Sequence, residues 1–309
     1  MAEPFTIAIV GLGTTGVSLG LALKKASKAL RIVGHDKEPE AAARARKLGA
    51  VDSTDWNLPN ACRSASIVIL ALPLGAIRDT MAAIAPELAA GCLVTDTAPL
   101  KVPVMAWAEE LLPAGVSFVG GNPIGARGRP GEPAADRFLN TTYCLCVSRA
   151  AREEAVDSAS DLAMAVGARP HFVDPEEHDG LVALLDQAPI ALAAALLHAA
   201  CSQGAWQEMV RLGSGRFEQL FRIIGEEPGI GLQAAAANLP NVSRWLDWAE
   251  EALRTLREQL EGADEKAREQ LVADLTDARL EWQRRGEEEK QPLPNVGFSL
   301  RRTFGLREP

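Results

Sequence analysis

Short β-branched apolar runs alternate with longer stretches of helical spacing through the first half of the chain. Residues 7–10, 32–34, 67–71, 93–96, 116–119, 142–147 and 169–173 read as strands. Residues 15–23, 38–48, 102–112 and 151–166 read as helices between them. Such alternation predicts a mostly parallel, doubly wound α/β sheet. The run IVILA at 67–71 is apolar at every position, as expected of a strand covered on both faces. Residues 122–140, rich in Gly, Pro and Arg, are predicted to be a loop.

After Pro175 no strand pattern recurs. A long apolar helix is predicted over 176–201, with further helical segments to about residue 290. The chain therefore divides into a Rossmann-type domain, 1–174, and an all-α domain, 175–309. Between 264 and 291 charged residues dominate, yet Leu271, Leu275 and Trp282 keep helical spacing, which predicts one buried stripe. The tail carries Phe298, Leu300, Phe304 and Leu306 among arginines, suited to packing on the body or on a partner subunit.

Composition narrows the function classes. A chain of 309 residues fits about two domains. No stretch has the ~18 uninterrupted apolar residues of a membrane span. The opening MAEPFTIAIVGLG runs straight into a strand without a secretory pattern, so a cytoplasmic, non-membrane protein is expected. A formal net charge of −9 argues against nucleic-acid binding, which needs a basic face. Cys62, Cys92, Cys144, Cys146 and Cys201 make no CxxC pair and read as buried thiols in a reducing compartment. His35, His171, His178 and His198 are scattered, and no metal site is expected.

The sharpest motif is Gly11-Leu12-Gly13-Thr14-Thr15-Gly16, set between the first strand and the first helix. In such a loop the first glycine permits a tight turn and the second lets the backbone approach a pyrophosphate. The third allows close packing of helix on strand. Free N–H groups and the helix dipole favour the diphosphate there. Asp36, ending the second strand, is placed to accept hydrogen bonds from the adenosine ribose hydroxyls. Leu72 and Pro73, after the run IVILA, complete the expected cofactor contacts. A carboxylate at 36 repels a 2′-phosphate and favours NAD; Lys37 beside it leaves NADP as the alternative.

Around these residues the chain resembles the prephenate/arogenate dehydrogenase family. The matching stretches are IAIVGLGTTGVSLGLAL at 7–23, VILALPLGAI at 68–77 and VTDTAPLK at 94–101. FVGGNPIGA at 118–126, EEHDGLVALLDQAPIALAAAL at 176–196 and Phe221-Arg222-Ile223-Ile224 continue the series. The resemblance implies a nucleotide domain joined to a helical domain that forms a homodimer. It also implies oxidation of the ring alcohol of a small carboxylate substrate, prephenate or arogenate. Hydride passes to nicotinamide, CO2 leaves and the ring becomes aromatic, in tyrosine biosynthesis.

Several positions depart from the family pattern. DxGSxK reads Asp96-Thr97-Ala98-Pro99-Leu100-Lys101, so Pro99 replaces a serine. HPMxG reads Asn122-Pro123-Ile124-Gly125-Ala126, which puts Asn122 where the family has its catalytic histidine. SHLPH becomes Asp186-Gln187-Ala188-Pro189-Ile190, and GFRDxTR keeps only its final arginine, Arg222. Asn122 can hold a hydroxyl by hydrogen bonding but is no proton acceptor at physiological pH.

The catalytic candidates are Asn122, Asp186 and Lys101. Asp186, seven positions after Asp179 and so on about the same helical face, would act as a base or orient a cationic substrate; the alternative is a solvated or paired helix carboxylate. Lys101 would contact cofactor or substrate, or be solvated. His178 reads as a base or as a residue that starts the long helix. Arg222, Arg127 and Arg129 are the candidate carboxylate anchors, set against surface salt bridges. Two other functions stay open: a relative acting on another hydroxy acid or amine, and a dinucleotide-binding protein without turnover.

Overall fold

The computed structural model describes residues 5–126, 131–225, 228–262 and 265–288. The first strands and helices are β1 (Thr6–Val10), α1 (Thr14–Ala26), β2 (Arg31–His35), α2 (Pro39–Lys47), β3 (Ser53–Thr54) and α3 (Leu58–Cys62). There follow β4 (Ile67–Leu70), α4 (Leu74–Ile84), β5 (Leu93–Asp96), α5 (Val102–Leu111), β6 (Ser117–Ile124), β7 (Thr142–Val147), α6 (Glu153–Ala165) and β8 (Arg169–Phe172). The strands form one sheet in the order β3-β2-β1-β4-β5-β6-β7-β8. Every pairing is parallel except β6 with β7. This is the mostly parallel, doubly wound sheet that the pattern predicts.

Period-two alternation puts a core on each face of the sheet. Ile7 and Ile9 of β1 pack with Val17, Leu19 and Leu162 on one side. Ala8 and Val10 pack with Leu70, Ile77 and Met81 on the other. The strand order reverses direction between β1 and β4, where open parallel sheets form a ligand crevice beyond the strands' carboxyl ends.

One reading changes in this half. Asn122 lies not in a loop but on β6, whose residues from Val119 to Ile124 pair antiparallel with β7. Pairing with β5 stops at Val119, so Pro123 lacks a neighbour on that side to deprive of a donor. Four cysteines are buried as expected, and burial pushes the Cys62 and Cys92 thiols up to about 12; Cys201 is exposed.

Contacts divide the chain into two compact units, one ending at Asp179 and the other starting at Gly180. The division falls past residue 174 because the first turn of α7 (Pro175–Val182) is tied to the sheet unit: Asp179 accepts hydrogen bonds from the backbone N–H groups of Lys101 and Val102, at 2.7 and 3.0 Å.

The second unit is helical. The expected long helix is interrupted by a π-helical turn, Ala183–Gln187, before α8 (Ala188–Cys201). There follow α9 (Trp206–Leu212), α10 (Gly215–Ile224), α11 (Pro228–Ala237), α12 (Leu239–Glu261) and α13 (Glu265–Glu288). A π turn adds a residue to the helical repeat, so the seven-residue spacing from Asp179 to Asp186 no longer puts them on one face. Asp179 is buried and Asp186 exposed. By length and composition alone the run Pro175–Cys201 is apolar enough to cross a membrane, a test that core and interface helices also pass.

Among the described residues, the stripe expected on α13 is largely exposed. Leu275 and Trp282 are 62% and 68% exposed, and the compact core of the unit is small, centred on Ala183, Ala235 and Val242. Helical period shows that a face is apolar; it does not show whether the same chain covers it.

One ion pair ties α1 to β2: Lys24 Nζ lies 2.7 Å from Asp52 Oδ1, while Ile32 N–H donates to the other carboxylate oxygen. Burial pushes this carboxyl up, but Lys24, the Ile32 amide and Arg31 outweigh it and hold it below 3.8. A depressed carboxyl stabilises the fold fully above 3.8 and loses that contribution as pH falls through its lower folded value. Asp52→Asn is expected to lower thermal stability at neutral pH by no more than about 1 kcal/mol, because the pair is partly solvated. The gap from wild type should close in acid, as followed by melts across pH.

Candidate active site

The glycine loop is shaped by what surrounds each glycine. Gly11 has φ +92°, and a Cβ there would collide with the carbonyl oxygen of Ala71 at the end of β4. A Cβ on Gly16 would strike the carbonyl oxygen of Gly11, which is why helix and turn can sit so close. Gly13 differs: nothing lies within 4 Å of its missing Cβ, and the residue is exposed. It also caps α1, whose first intrahelical bond runs from Val17 N–H to Gly13 O. The N–H groups ahead of Val17 are those a diphosphate uses. The residues present therefore fit a dinucleotide.

Asp36 follows β2 and is anchored by both oxygens. Leu12 N–H donates to Oδ2 at 2.7 Å and Glu38 N–H to Oδ1 at 2.9 Å. These bonds lock the carboxylate beside the glycine loop, with lone pairs left for ribose hydroxyls. A cavity of about 790 Å³ opens next to it, lined by Lys37, Arg46, Lys47, Asp55 and Trp56 among others. Lys37, Arg46 and Lys47 bring positive charge to the cavity beside the Asp36 carboxylate. Leu72 is half-buried and Pro73 exposed where β4 passes into α4.

Farther along the same strand ends lies a buried polar network. Asp96 ends β5, and its carboxylate accepts from Gly121 N–H, from Ala98 N–H and from the Lys101 ammonium. Lys101 is fully buried and also donates to Gly121 O at 2.6 Å. The reading of a solvated lysine is thereby corrected: α5 begins at this residue and turns the side chain back across β5 and β6. Its ammonium is committed to Asp96 and Gly121, so it braces the site.

Asn122, 8% exposed, follows Gly121 on β6. Its Nδ2 is 3.1 Å from Nε2 of His178, which is 1% exposed. The other ring nitrogen of His178 is 2.7 Å from Asp179 Oδ1. Tyr143, opposite Pro123 on β7, is buried nearby, its hydroxyl without a partner among the described residues; burial and the charge of Asp96 push its phenol up. His178, read from the sequence as a base or as a residue that starts the long helix, is brought against Asn122 and Asp179; the adjacent His-Asp in EEHD is the sequence signal for that pair.

Structure and comparisons with known proteins agree on what kind of chain this is. Residues 19–171 match the family model for the prephenate dehydrogenase nucleotide-binding domain, and 174–277 match the model for the prephenate dehydrogenase dimerization domain. Prephenate dehydrogenase of Bacillus subtilis is 31% identical over 266 residues, spanning 82% of this chain and 70% of that protein. The chain belongs to the prephenate dehydrogenase family. Cyclohexadienyl dehydrogenase of Zymomonas mobilis is 26% identical over 262 residues, spanning 84% and 89%. Among solved structures, prephenate dehydrogenase from A. aeolicus, in complex with hydroxyphenyl propionate and NAD+, superposes with a TM-score of 0.80. It is 22% identical and covers 91% of this chain and 98% of that one, a likeness of fold.

The remaining candidates divide between the units. Lys101 and Asn122 share one network in the sheet unit. Asp186, in the π turn of the helical unit, has its carboxyl raised by the surrounding protein although the residue reaches solvent. Arg222, on α10, is exposed and pairs with Glu218 one turn earlier, at 3.2 Å. Arg127 and Arg129 lie outside the described residues.

The glycine loop yields a paired prediction. Gly13→Ala should fold with little change in melting temperature yet lose most NADH binding, since its Cβ enters free space where the diphosphate lies. Gly16→Ala should lower stability directly, because its Cβ meets backbone. Thermal melts and NADH fluorescence titration on both variants check this; equal stability losses would contradict it.

Proposed function

We propose that this chain is an NAD-dependent dehydrogenase that oxidises prephenate or arogenate with loss of CO2, in tyrosine biosynthesis, as a cytoplasmic homodimer paired through its helical domain. The observation that carries the reading is the placing of the Asp96–Lys101–Asn122–His178 network at the carboxyl ends of β5 and β6. That is the same edge of the sheet that carries the glycine loop and Asp36. The two family matches, and the activities named for the Bacillus subtilis and Zymomonas mobilis relatives, support the same assignment.

In this reading the backbone of Gly11–Gly16 holds the diphosphate, Asp36 the ribose hydroxyls, and Leu72 and Pro73 the flank of the cofactor. NAD accepts the hydride when bound. Asn122 engages the substrate hydroxyl, and Lys101 keeps β5 and β6 together beneath it. In the helical unit Asp186 is the proposed contact to a charged substrate group and Arg222 a proposed carboxylate anchor, as are Arg127 and Arg129. The dimer follows from apolar residues that the chain leaves uncovered on α12 and α13, including Trp248, Leu253, Leu275 and Trp282.

Supplying prephenate, arogenate and simple hydroxy acids with NAD, and following reduced cofactor by absorbance, tests the assignment. Turnover confined to the two cyclohexadienyl substrates is expected, with Asp36→Asn narrowing the preference for NAD over NADP about tenfold or more. Turnover of a different hydroxy acid, or dinucleotide binding with no turnover, would overturn it. Arg222→Ala should raise KM with little effect on kcat, and Trp282→Asp should shift sedimentation from dimer to monomer.

A further inference from the structure

Asn122 poses a chemical problem, since an amide cannot take the proton that an alcohol oxidation releases. The side chains behind it supply the answer. Asp179 as a carboxylate only accepts hydrogen bonds, so the His178 nitrogen facing it, Nδ1, carries the ring proton. The neutral ring then presents an acceptor at Nε2, and what lies 3.1 Å away is the NH2 group of Asn122. An amide whose NH2 is spent on the ring has its carbonyl oxygen, Oδ1, left to offer.

On the dehydrogenase reading above, we propose that His178 is a positioning residue: backed by Asp179, it locks the Asn122 amide so that Oδ1 accepts a hydrogen bond from the substrate hydroxyl, and turnover needs no proton-accepting side chain at position 122. The electron count allows this. Hydride leaves the carbinol carbon with its bonding pair, going to the nicotinamide of NAD. The bond from ring to carboxylate breaks, CO2 departs, and that electron pair stays in the ring and completes its aromaticity. The oxygen that enters as an alcohol leaves as a phenol with its own proton. Positive charge builds on that O–H only in passing, and a fixed carbonyl dipole aimed at it is a stabiliser that needs no proton transfer.

The arrangement has a pH signature. Protonated His178 must donate from Nε2, which turns the Asn122 amide round and offers NH2, a donor, where the hydroxyl needs an acceptor. Asp179 on the same helix is shared with the Lys101 and Val102 amides, and the Lys101 ammonium is held on Asp96. Cys144, opposite Asn122 on β7, has its thiol pushed up to about 11 by burial and so stays uncharged.

Two variants and one spectrum test this. His178→Phe keeps a ring but offers no acceptor: kcat should fall about 10- to 100-fold with NADH affinity unchanged, and the acid limb of the pH profile should vanish. His178→Gln restores an acceptor that does not titrate, so kcat should recover most of the loss while the acid limb stays absent. A merely structural histidine would give losses in both variants without altering the profile; that outcome, or wild-type kcat in His178→Phe, overturns the proposal. Nitrogen-15 NMR of the folded wild-type protein, with His178 assigned by difference from the Gln variant, should show protonated Nδ1 and bare Nε2 at neutral pH. A proton on Nε2 refutes the arrangement even if neither prephenate nor arogenate is turned over, a result that would instead defeat the assignment of activity.

Discussion

A single buried cation organises the working edge of this fold. The Lys101 ammonium is shut away from water between the Asp96 carboxylate and the Gly121 carbonyl. Charges are expensive to bury unless every donor and acceptor is met. Here Asp96 also collects the N–H groups of Ala98 and Gly121. The strands β5 and β6, and the first turn of α5, are therefore fixed to one another just where β6 leaves its pairing with β5. Asn122 is the next residue along, and its position is inherited from that arrangement.

A second carboxylate extends the constraint. Asp179 caps the start of α5 by taking the Lys101 and Val102 amides, and with the same side chain it holds His178. His178 and Asp179 of α7 are thus bonded to Asn122 on β6 and to the start of α5. The amide of Asn122 meets the imidazole of His178 from α7, so both side chains are held in one buried network. On the cofactor side the logic is similar: Asp36 is held by two backbone amides, which fixes its carboxylate beside the glycine loop.

Local features were legible in the sequence, and tertiary ones were not. The glycine loop and Asp36 announce themselves because their pattern is local to one βαβ unit, and alternation of β-branched runs with amphipathic ones is enough to predict a mostly parallel sheet, though not its strand order. Nothing in the spacing of residues reveals that Asn122 meets His178, 56 positions away, since that contact exists only because β6 runs on through Gly-Asn-Pro in antiparallel pairing with β7. Lys101 reads as a cofactor or substrate contact or as a solvated lysine, because burial of a lysine depends on a partner that the pattern does not show. The π turn at Ala183–Gln187 is hidden for another reason: an apolar run of Ala and Leu reads identically whether the helix winds by four residues or five. The apolar stripe of α13 was visible, but periodicity says nothing about which molecule covers it.

The central claim is that the Asp96–Lys101 pair is a buried, coupled unit on which the site's geometry rests. Denaturant unfolding of Lys101→Met, Asp96→Asn and the double variant tests it most directly. Each single substitution should cost about 3–5 kcal/mol, because it strands a buried partner, and the double variant should cost clearly less than the sum. Single losses below about 1 kcal/mol that add without coupling would show a solvated pair and contradict the account.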